Sequence, residues 1–258
     1  MQHTPLTYLV RNLLRVTGVE VVAAKASSSL LAIHLRTLFS VLGVTCVLDV
    51  GARCGDYGLW LRRNGYHGDI ISFEPIKESF NGLAATAARD RRWHCVNYAL
   101  GAEDKLASIN VSEHTSFSSF HQPNATAAAL FGTASAVQRS EEVEIRRLDT
   151  VLDKLPIKIS SGRTYLKLDT QGWDLEVLAG AHQVLDHVVA LQTEVAVQPI
   201  YDGMPLMADS LAAIAERGFT PSGFFPVNLD PRLALVEFDL VAVRASAANR
   251  PGRGRIPH

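Results

Sequence analysis

Cysteine, aromatic residues and any surplus of one charge are what this chain has least of. Cys46, Cys54 and Cys95 are its only cysteines. They are too few and too scattered for a disulfide framework or a zinc cluster, and they suit a reducing compartment. Twenty-five Lys and Arg stand against 26 Asp and Glu, a formal net charge of -1. A surface that follows nucleic-acid phosphates needs a basic excess, so a nucleic-acid partner is not expected. No run of about twenty apolar residues escapes Arg, Lys or His, which argues against a spanning helix. The N-terminus lacks the charged-then-apolar layout of an export signal, so a cytoplasmic location is expected. No His pair or acidic triplet has metal-ligand spacing, and no metal is expected. Missing too is Gly-x-Gly-x-x-Gly, the turn that cradles a dinucleotide pyrophosphate. What remains is ample: at 47% apolar residues the chain can bury a large core.

The richest stretch is Val47-Leu48-Asp49-Val50-Gly51-Ala52-Arg53-Cys54-Gly55-Asp56-Tyr57-Gly58. It reads as a buried strand, a glycine turn and a helix beginning at Asp56. Gly51 lets backbone approach a ligand, while Gly55 and Gly58 relieve crowding where the helix packs on the sheet. About twenty residues on, Asp69-Ile70-Ile71-Ser72-Phe73 ends in Glu74-Pro75. An acid at the tip of a second strand is placed to accept hydrogen bonds from both ribose hydroxyls of a nucleoside. Asp49, ahead of the first glycine, would repel a pyrophosphate. It suits a ligand bearing an ammonium and a sulfonium, of which S-adenosylmethionine is one.

Along the chain, residues 4–17 place Leu6, Leu9, Val10, Leu13 and Leu14 on one helical face with Arg11 and Arg15 opposite. Such a helix packs on the sheet, pairs with a second copy, or rests on a membrane surface. A second helix carries Leu31, Leu35, Leu38 and Leu42 into Gly43. Helix 76–89 and a strand through Trp93–Tyr98 follow, and Ala99 is small enough to admit an adenine. Residues 106–111 and Val143-Glu144-Ile145-Arg146 alternate as exposed strands. Between them a long polar stretch with His114, Ser116 and Ser118 is expected to be a flexible lid, or else a substrate-facing loop.

Thr164-Tyr165-Leu166-Lys167-Leu168-Asp169 is a second centre of chemistry. A lysine inside a buried strand requires a carboxylate partner. Asp169 stands where ligands bind in open parallel sheets, just beyond the strand's carboxyl end. Asp174 and Glu176 read as helix-start charges for a helix reaching Leu185. The strand Val188–Glu194 ends in another acid, and Tyr201-Asp202-Gly203 makes a turn. The last strand, Leu235–Val243, reads as an edge element. Domains are expected at 1–43 (helical extension), 44–244 (nucleoside-cofactor domain) and 245–258 (disordered tail).

These residues add up to a resemblance. Leu-Asp-Val-Gly-Ala-Arg-Cys-Gly (48–55), Phe-Glu-Pro (73–75), Asn-Tyr-Ala-Leu-Gly (97–101), Ser-Phe-Ser-Ser-Phe (116–120) and Arg-Leu-Asp-Thr (147–150) are matching blocks. So are Leu-Lys-Leu-Asp-Thr-Gln-Gly-Trp-Asp-Leu-Glu-Val-Leu-Ala-Gly-Ala (166–181) and Gln192-Thr193-Glu194 through Tyr201-Asp202-Gly203. Over residues 45–243 the chain resembles the FkbM-type family of S-adenosylmethionine-dependent methyltransferases. The resemblance implies an α/β, Rossmann-like class I fold: a seven-stranded, mostly parallel sheet whose last strand is antiparallel. It also implies O-methylation of a hydroxyl, on a sugar of a glycolipid or another glycoconjugate or natural product. Asp49, Gly51 and Gly55 would border the methionine part, with Ala52, Arg53 and Tyr57 beside them. Glu74 and Pro75 would border the ribose. Where the family has Asn the chain has Arg53, and Gln171 and Asp174 stand where Glu is frequent.

An alcohol is a weak nucleophile, so a base should take its proton. Asp169 is the expected base, Glu194 the second candidate and His114 the third, with Lys167 tuning the acid it pairs. Asp169 also borders the cofactor; His114, Ser116, Ser118 and Tyr201 are the acceptor candidates. Partners expected are a small-molecule or glycolipid acceptor, with peripheral membrane contact and a homodimer through the N-terminal helices left open. The competing classes are a nicotinamide-dependent oxidoreductase and a cofactor-binding protein of the same fold without catalysis.

Overall fold

The computed structural model describes residues 27–155, 157, 159 and 163–245. The amphipathic stretch at 4–17 and the tail after Ala245 lie outside the described residues. Seven strands form one sheet: β1 (Cys46–Val50), β2 (Asp69–Phe73), β3 (Trp93–Val96), β7 (Thr164–Leu168), β8 (Val188–Ala196), β9 (Phe219–Leu229) and β10 (Leu235–Arg244). Their order is β3-β2-β1-β7-β8-β10-β9. The first five run parallel, and β10 is antiparallel to both β8 and β9. The expected mostly parallel sheet with an antiparallel last strand is thus present. β10 is not at the edge, however. It is apolar and buried for most of its length, so it lies between β8 and β9, and β9 with Pro221 and Pro226 takes the rim.

Strands β1 and β7 are buried at every residue, as expected for parallel strands covered on both faces. Leu48, Val50, Leu166, Leu168 and Leu191 face one layer with Val177, Leu178, Val184 and Ile214. Those partners come from α6 (Asp174–Ala179), α7 (His182–Leu185) and α8 (Met207–Glu216). Val47, Ile70, Tyr165 and Ala190 face the other layer. There α1 (Ser27–Leu42) buries Leu31, Leu35 and Leu38, and α2 (Asp56–Arg63) and α3 (Lys77–Ala87) complete the cover. The single helix expected from Asp174 to Leu185 is broken at Gly180, where a Cβ would fall 1.9 Å from the Gly101 carbonyl oxygen.

A smaller sheet, β4 (Ala99–Leu100), β6 (Val137–Arg146) and β5 (Lys105–Ser112), stands beside the carboxyl ends of the main strands. The 113–136 segment joining β5 to β6 is folded rather than a loose lid. It holds a turn at Thr115–Phe117 and α4 (Ala125–Phe131), with α5 (Leu148–Val151) following β6. Asn124 caps α4 by accepting from the Thr126 and Ala127 amides at 2.9 and 3.2 Å. Ser119 Oγ donates to the Gln171 carbonyl at 2.6 Å, and the Tyr201 hydroxyl reaches the Phe117 carbonyl at 3.0 Å. Among the described residues no helix is long and apolar enough to cross a membrane.

Candidate functional site

The carboxyl ends of β1, β2, β7 and β8 converge on two adjoining crevices. After β1 the chain turns at Gly51, φ 81°. A Cβ at Gly51 would lie 2.0 Å from the carbonyl oxygen of Asp169, so only glycine lets the two strand ends come this close. Gly58 serves packing instead: Trp93 lies where its Cβ would be. Beyond Gly51 the amide of Arg53 donates to Glu74 Oε2 at 2.8 Å, and the amide of Ile76 donates to Oε1 at 2.9 Å. Burial pushes the Glu74 carboxyl up to about 7, against the pull of those two amides.

The first crevice runs from Glu74 over Gly51 to Asp169 and Glu194, with Ile76, Ala99, Leu100 and Phe120 at its apolar end. An adenosine carrying an amino-acid tail fits these residues. Glu74 offers its carboxyl and Ala99 a small side chain to a ligand there. Arg53 lines the crevice with a buried Nε that has no hydrogen-bond partner in the protein, a donor for a carboxylate.

Under this floor four polar side chains stand side by side across four strands: Ser72, Asp49, Lys167 and Gln192. Lys167 Nζ lies 3.4 Å from Asp49 Oδ1 and 3.2 Å from Asp169 Oδ2. Burial would lower the lysine's pKa, but the charges of Asp169 and Asp49 outweigh it and the net shift is upward. Asp169 keeps 41% of its side chain exposed to the crevice. Enclosure alone would raise its carboxyl; the Lys167 ammonium and a bond from Gln171 hold it below its ordinary value. Glu194 goes the other way, pushed well up by burial and then by the charges of Asp169, Glu237 and Asp239. Gln171 (φ 54°) links the two acids: its Nε2 donates to Asp169 Oδ1 at 3.0 Å and to Glu194 Oε2 at 2.7 Å.

The second crevice lies across the Gly51–Asp169 ridge from the first. Its polar floor is Lys167, Asp169, Gln192, Glu194 and Asp239, and its rim comes from α1, α2 and β9. Tyr57 and Tyr165 both donate to Gln192 Oε1, at 2.9 and 3.0 Å.

Several expectations change. Asp49 lines neither crevice; it is fully buried, accepts from Ser72 at 3.0 Å, and supports Lys167. Gly55 also stays behind the wall, packed on Trp93 and Leu83. Ala52 and Tyr57 border the second crevice, not the nucleoside one. Pro75 and Ala99 line the first, and so do Ser116 and Ser118, which were acceptor candidates. His114 is exposed and lines neither crevice; its ring bonds Ser116, which does line the first. Tyr201 is buried and fixes the loop, sharing its hydroxyl between the Phe117 carbonyl and Gln171 Oε1. Asp174 is more than a helix-start charge: its buried carboxyl accepts from Thr170 and Thr193, tying β7 to β8. Gln171, Gln192 and Asp239 were missed. The signal for Asp239 was visible as carboxylates at alternate positions, Glu237 and Asp239, inside an apolar strand.

A family model for the methyltransferase FkbM domain matches residues 49–221. No curated protein matches the chain. Among solved structures, Aeropyrum pernix fibrillarin, in complex with natively bound S-adenosyl-L-methionine, is 11% identical with a TM-score of 0.47, covering 83% of this chain and 74% of its own. An rRNA methylase from Streptococcus thermophilus is 11% identical, TM-score 0.46, covering 86% of this chain and 99% of its own. A TehB-like SAM-dependent methyltransferase from Corynebacterium glutamicum is 11% identical, TM-score 0.43, covering 93% and 97%.

Proposed function

The chain belongs to the FkbM methyltransferase family, whose cofactor is S-adenosylmethionine, and from that premise we propose that it methylates a hydroxyl oxygen, on a sugar of a glycolipid or another glycoconjugate, with Asp169 as the base. One observation carries this: a carboxylate held ionised by Lys167 stands on the wall common to both crevices. Bound at the first crevice, the cofactor would supply a methyl group activated by its sulfonium. Glu74 and Arg53 would hold the two ends of that molecule, the ribose and the carboxylate.

Asp169 accepts the hydroxyl proton as the oxygen attacks, work that typically contributes about a hundred- to ten-thousand-fold. Glu194, its carboxyl raised, holds its proton more readily and can donate a hydrogen bond to the acceptor. Lys167 and Gln171 fix the direction of the Asp169 carboxyl, and holding the reacting oxygen in place supplies a further part of the acceleration. Asp169→Asn should lower kcat by about a hundredfold or more while adenosylhomocysteine affinity, read by calorimetry, stays within a few-fold. Unimpaired turnover in that variant removes Asp169 from the role.

A further inference from the structure

The nucleoside motif explains the first crevice and leaves the second without a ligand. Charge is the first guide to what the second would hold. Its lining carries the acids Asp56, Asp169, Glu194 and Asp239 and the bases Arg53 and Lys167. Both bases are taken. Arg53 stands 3.5 Å from Asp56, and Lys167 lies 3.2 Å from Asp169 with Asp49 behind it at 3.4 Å. Glu194 and Asp239 are cross-strand partners on β8 and β10. Among the described residues neither forms an ion pair; each has a glutamine amide instead, Gln171 on Glu194 and Gln192 on Asp239.

Two carboxylates side by side in a half-enclosed site repel each other unless a cation or a proton comes between them. Burial and the charges of neighbouring acids push both up, Asp239 to about 6. An ammonium from outside would relieve that repulsion, and its N–H groups would make charge-assisted bonds to both carboxylates. The rim suits what an ammonium is attached to, with Leu31, Trp60, Phe225 and Val227. Tyr57 is already engaged: Trp60 is stacked on it, centroids 5.5 Å apart, and the Lys167 ammonium lies 5.0 Å from its ring centroid. Trp60 and Phe225 are thus the aromatic surface left for a ligand, and their π faces attract a cation as well as the hydrocarbon beside it. A carboxylate or a phosphate brought here would meet like charge.

We propose that the second crevice binds an alkylammonium group, its nitrogen on Glu194 and Asp239 and its hydrocarbon against Trp60 and Phe225. The crevice shares Gly51, Arg53, Asp169 and Glu194 with the first, so a molecule held this way lies beside Asp169. The inference rests on the charge and shape of the crevice, not on methyl transfer. Joined to that function, it adds that the acceptor carries an amine as well as the hydroxyl.

The test compares one ring in three charge states: cyclohexylammonium, cyclohexanol and cyclohexanecarboxylate. Each is titrated at neutral pH against the full chain, with and without saturating adenosylhomocysteine, and binding is read by saturation-transfer NMR. On the saturated chain cyclohexylammonium should bind about fivefold or more tightly than cyclohexanol, and the carboxylate should stay silent. Asp239→Asn should bring the ammonium and the alcohol within about twofold of each other. Val227→Lys sets a cation on the rim from an exposed position. It should weaken cyclohexylammonium alone by about fivefold, and it decides the matter where Asp239→Asn fails to fold. Equal affinities for ammonium and alcohol in the parent, or binding of the carboxylate, overturn the proposal. So does cyclohexylammonium that adenosylhomocysteine displaces, since it would then occupy the place of the cofactor's own ammonium. A parent chain that binds no adenosylhomocysteine yet prefers the ammonium supports this site while removing the methyl-transfer function.

Discussion

An ammonium enclosed by protein keeps its proton only when carboxylates surround it. Lys167 meets that condition with Asp49 behind and Asp169 in front. The consequence reaches the crevice, where two acids bridged by one Gln171 amide are driven in opposite directions. The acid with the lysine stays ionised, and the acid without it keeps its proton more readily. Glu74 gives the cofactor side its own pH dependence. Its folded-state value of about 7 is set first by burial, and the ionised form is the one with acceptors to offer both ribose hydroxyls. Affinity should therefore be present above that value and lost as pH falls through it. Calorimetry with adenosylhomocysteine should find binding roughly tenfold tighter at about pH 8 than at about pH 6, and Glu74→Gln should flatten the dependence. A pH-independent parent would show that Glu74 does not hold the ribose.

The elements that matter most are the 113–136 segment and the strand ends it covers. Contacts that fasten it include the Asn124 amide on the Ile200 carbonyl, Ser119 on the Gln171 carbonyl, and the Tyr201 hydroxyl on the Phe117 carbonyl. The last also supports Gln171, so one phenol couples the cover of the first crevice to the bridge between its two acids. Tyr201→Phe should cost about 1–2 kcal/mol through the carbonyl oxygens left without a donor. Hydrogen exchange at amides 113–120 should quicken while the central strands keep their protection. Unchanged exchange there would mean the segment is held by other contacts. From the residues this stretch read as a flexible lid, because Ser, Thr and Ala carry little periodic signal and its anchors lie far along the chain. Ser119 and Gln171, Phe117 and Tyr201 are partners no local pattern relates. The strands were the opposite case. β1, β2, β7 and β8 announce themselves as apolar runs ending in glycine or an acid, since a doubly covered parallel strand has little choice of residue.

For the whole molecule, the sheet order brings Gly51, Glu74, Asp169 and Glu194 together from four separate strands, at the carboxyl edge where such sheets bind ligands. That convergence was legible because Gly51, Glu74 and Asp169 each follow the last residue of a strand, while Glu194 read as the end of a strand that runs on to Ala196. The second crevice was not legible: it is built from α1, α2 and an antiparallel pair late in the chain, and only the β8–β10–β9 order sets Asp239 and Phe225 beside Glu194. Asp49 shows the limit from the other side, for its position in the motif promised ligand contact while its burial gives it to Lys167. The central claim is that the nucleoside and the base share one crevice. A crystal structure of the chain with adenosylhomocysteine tests it most directly. The ribose hydroxyls should lie within hydrogen-bonding distance of Glu74, the adenine against Ala99, and the sulfur toward Asp169. A nucleoside found between Trp60 and Phe225, or a sulfur turned away from Asp169, would contradict it.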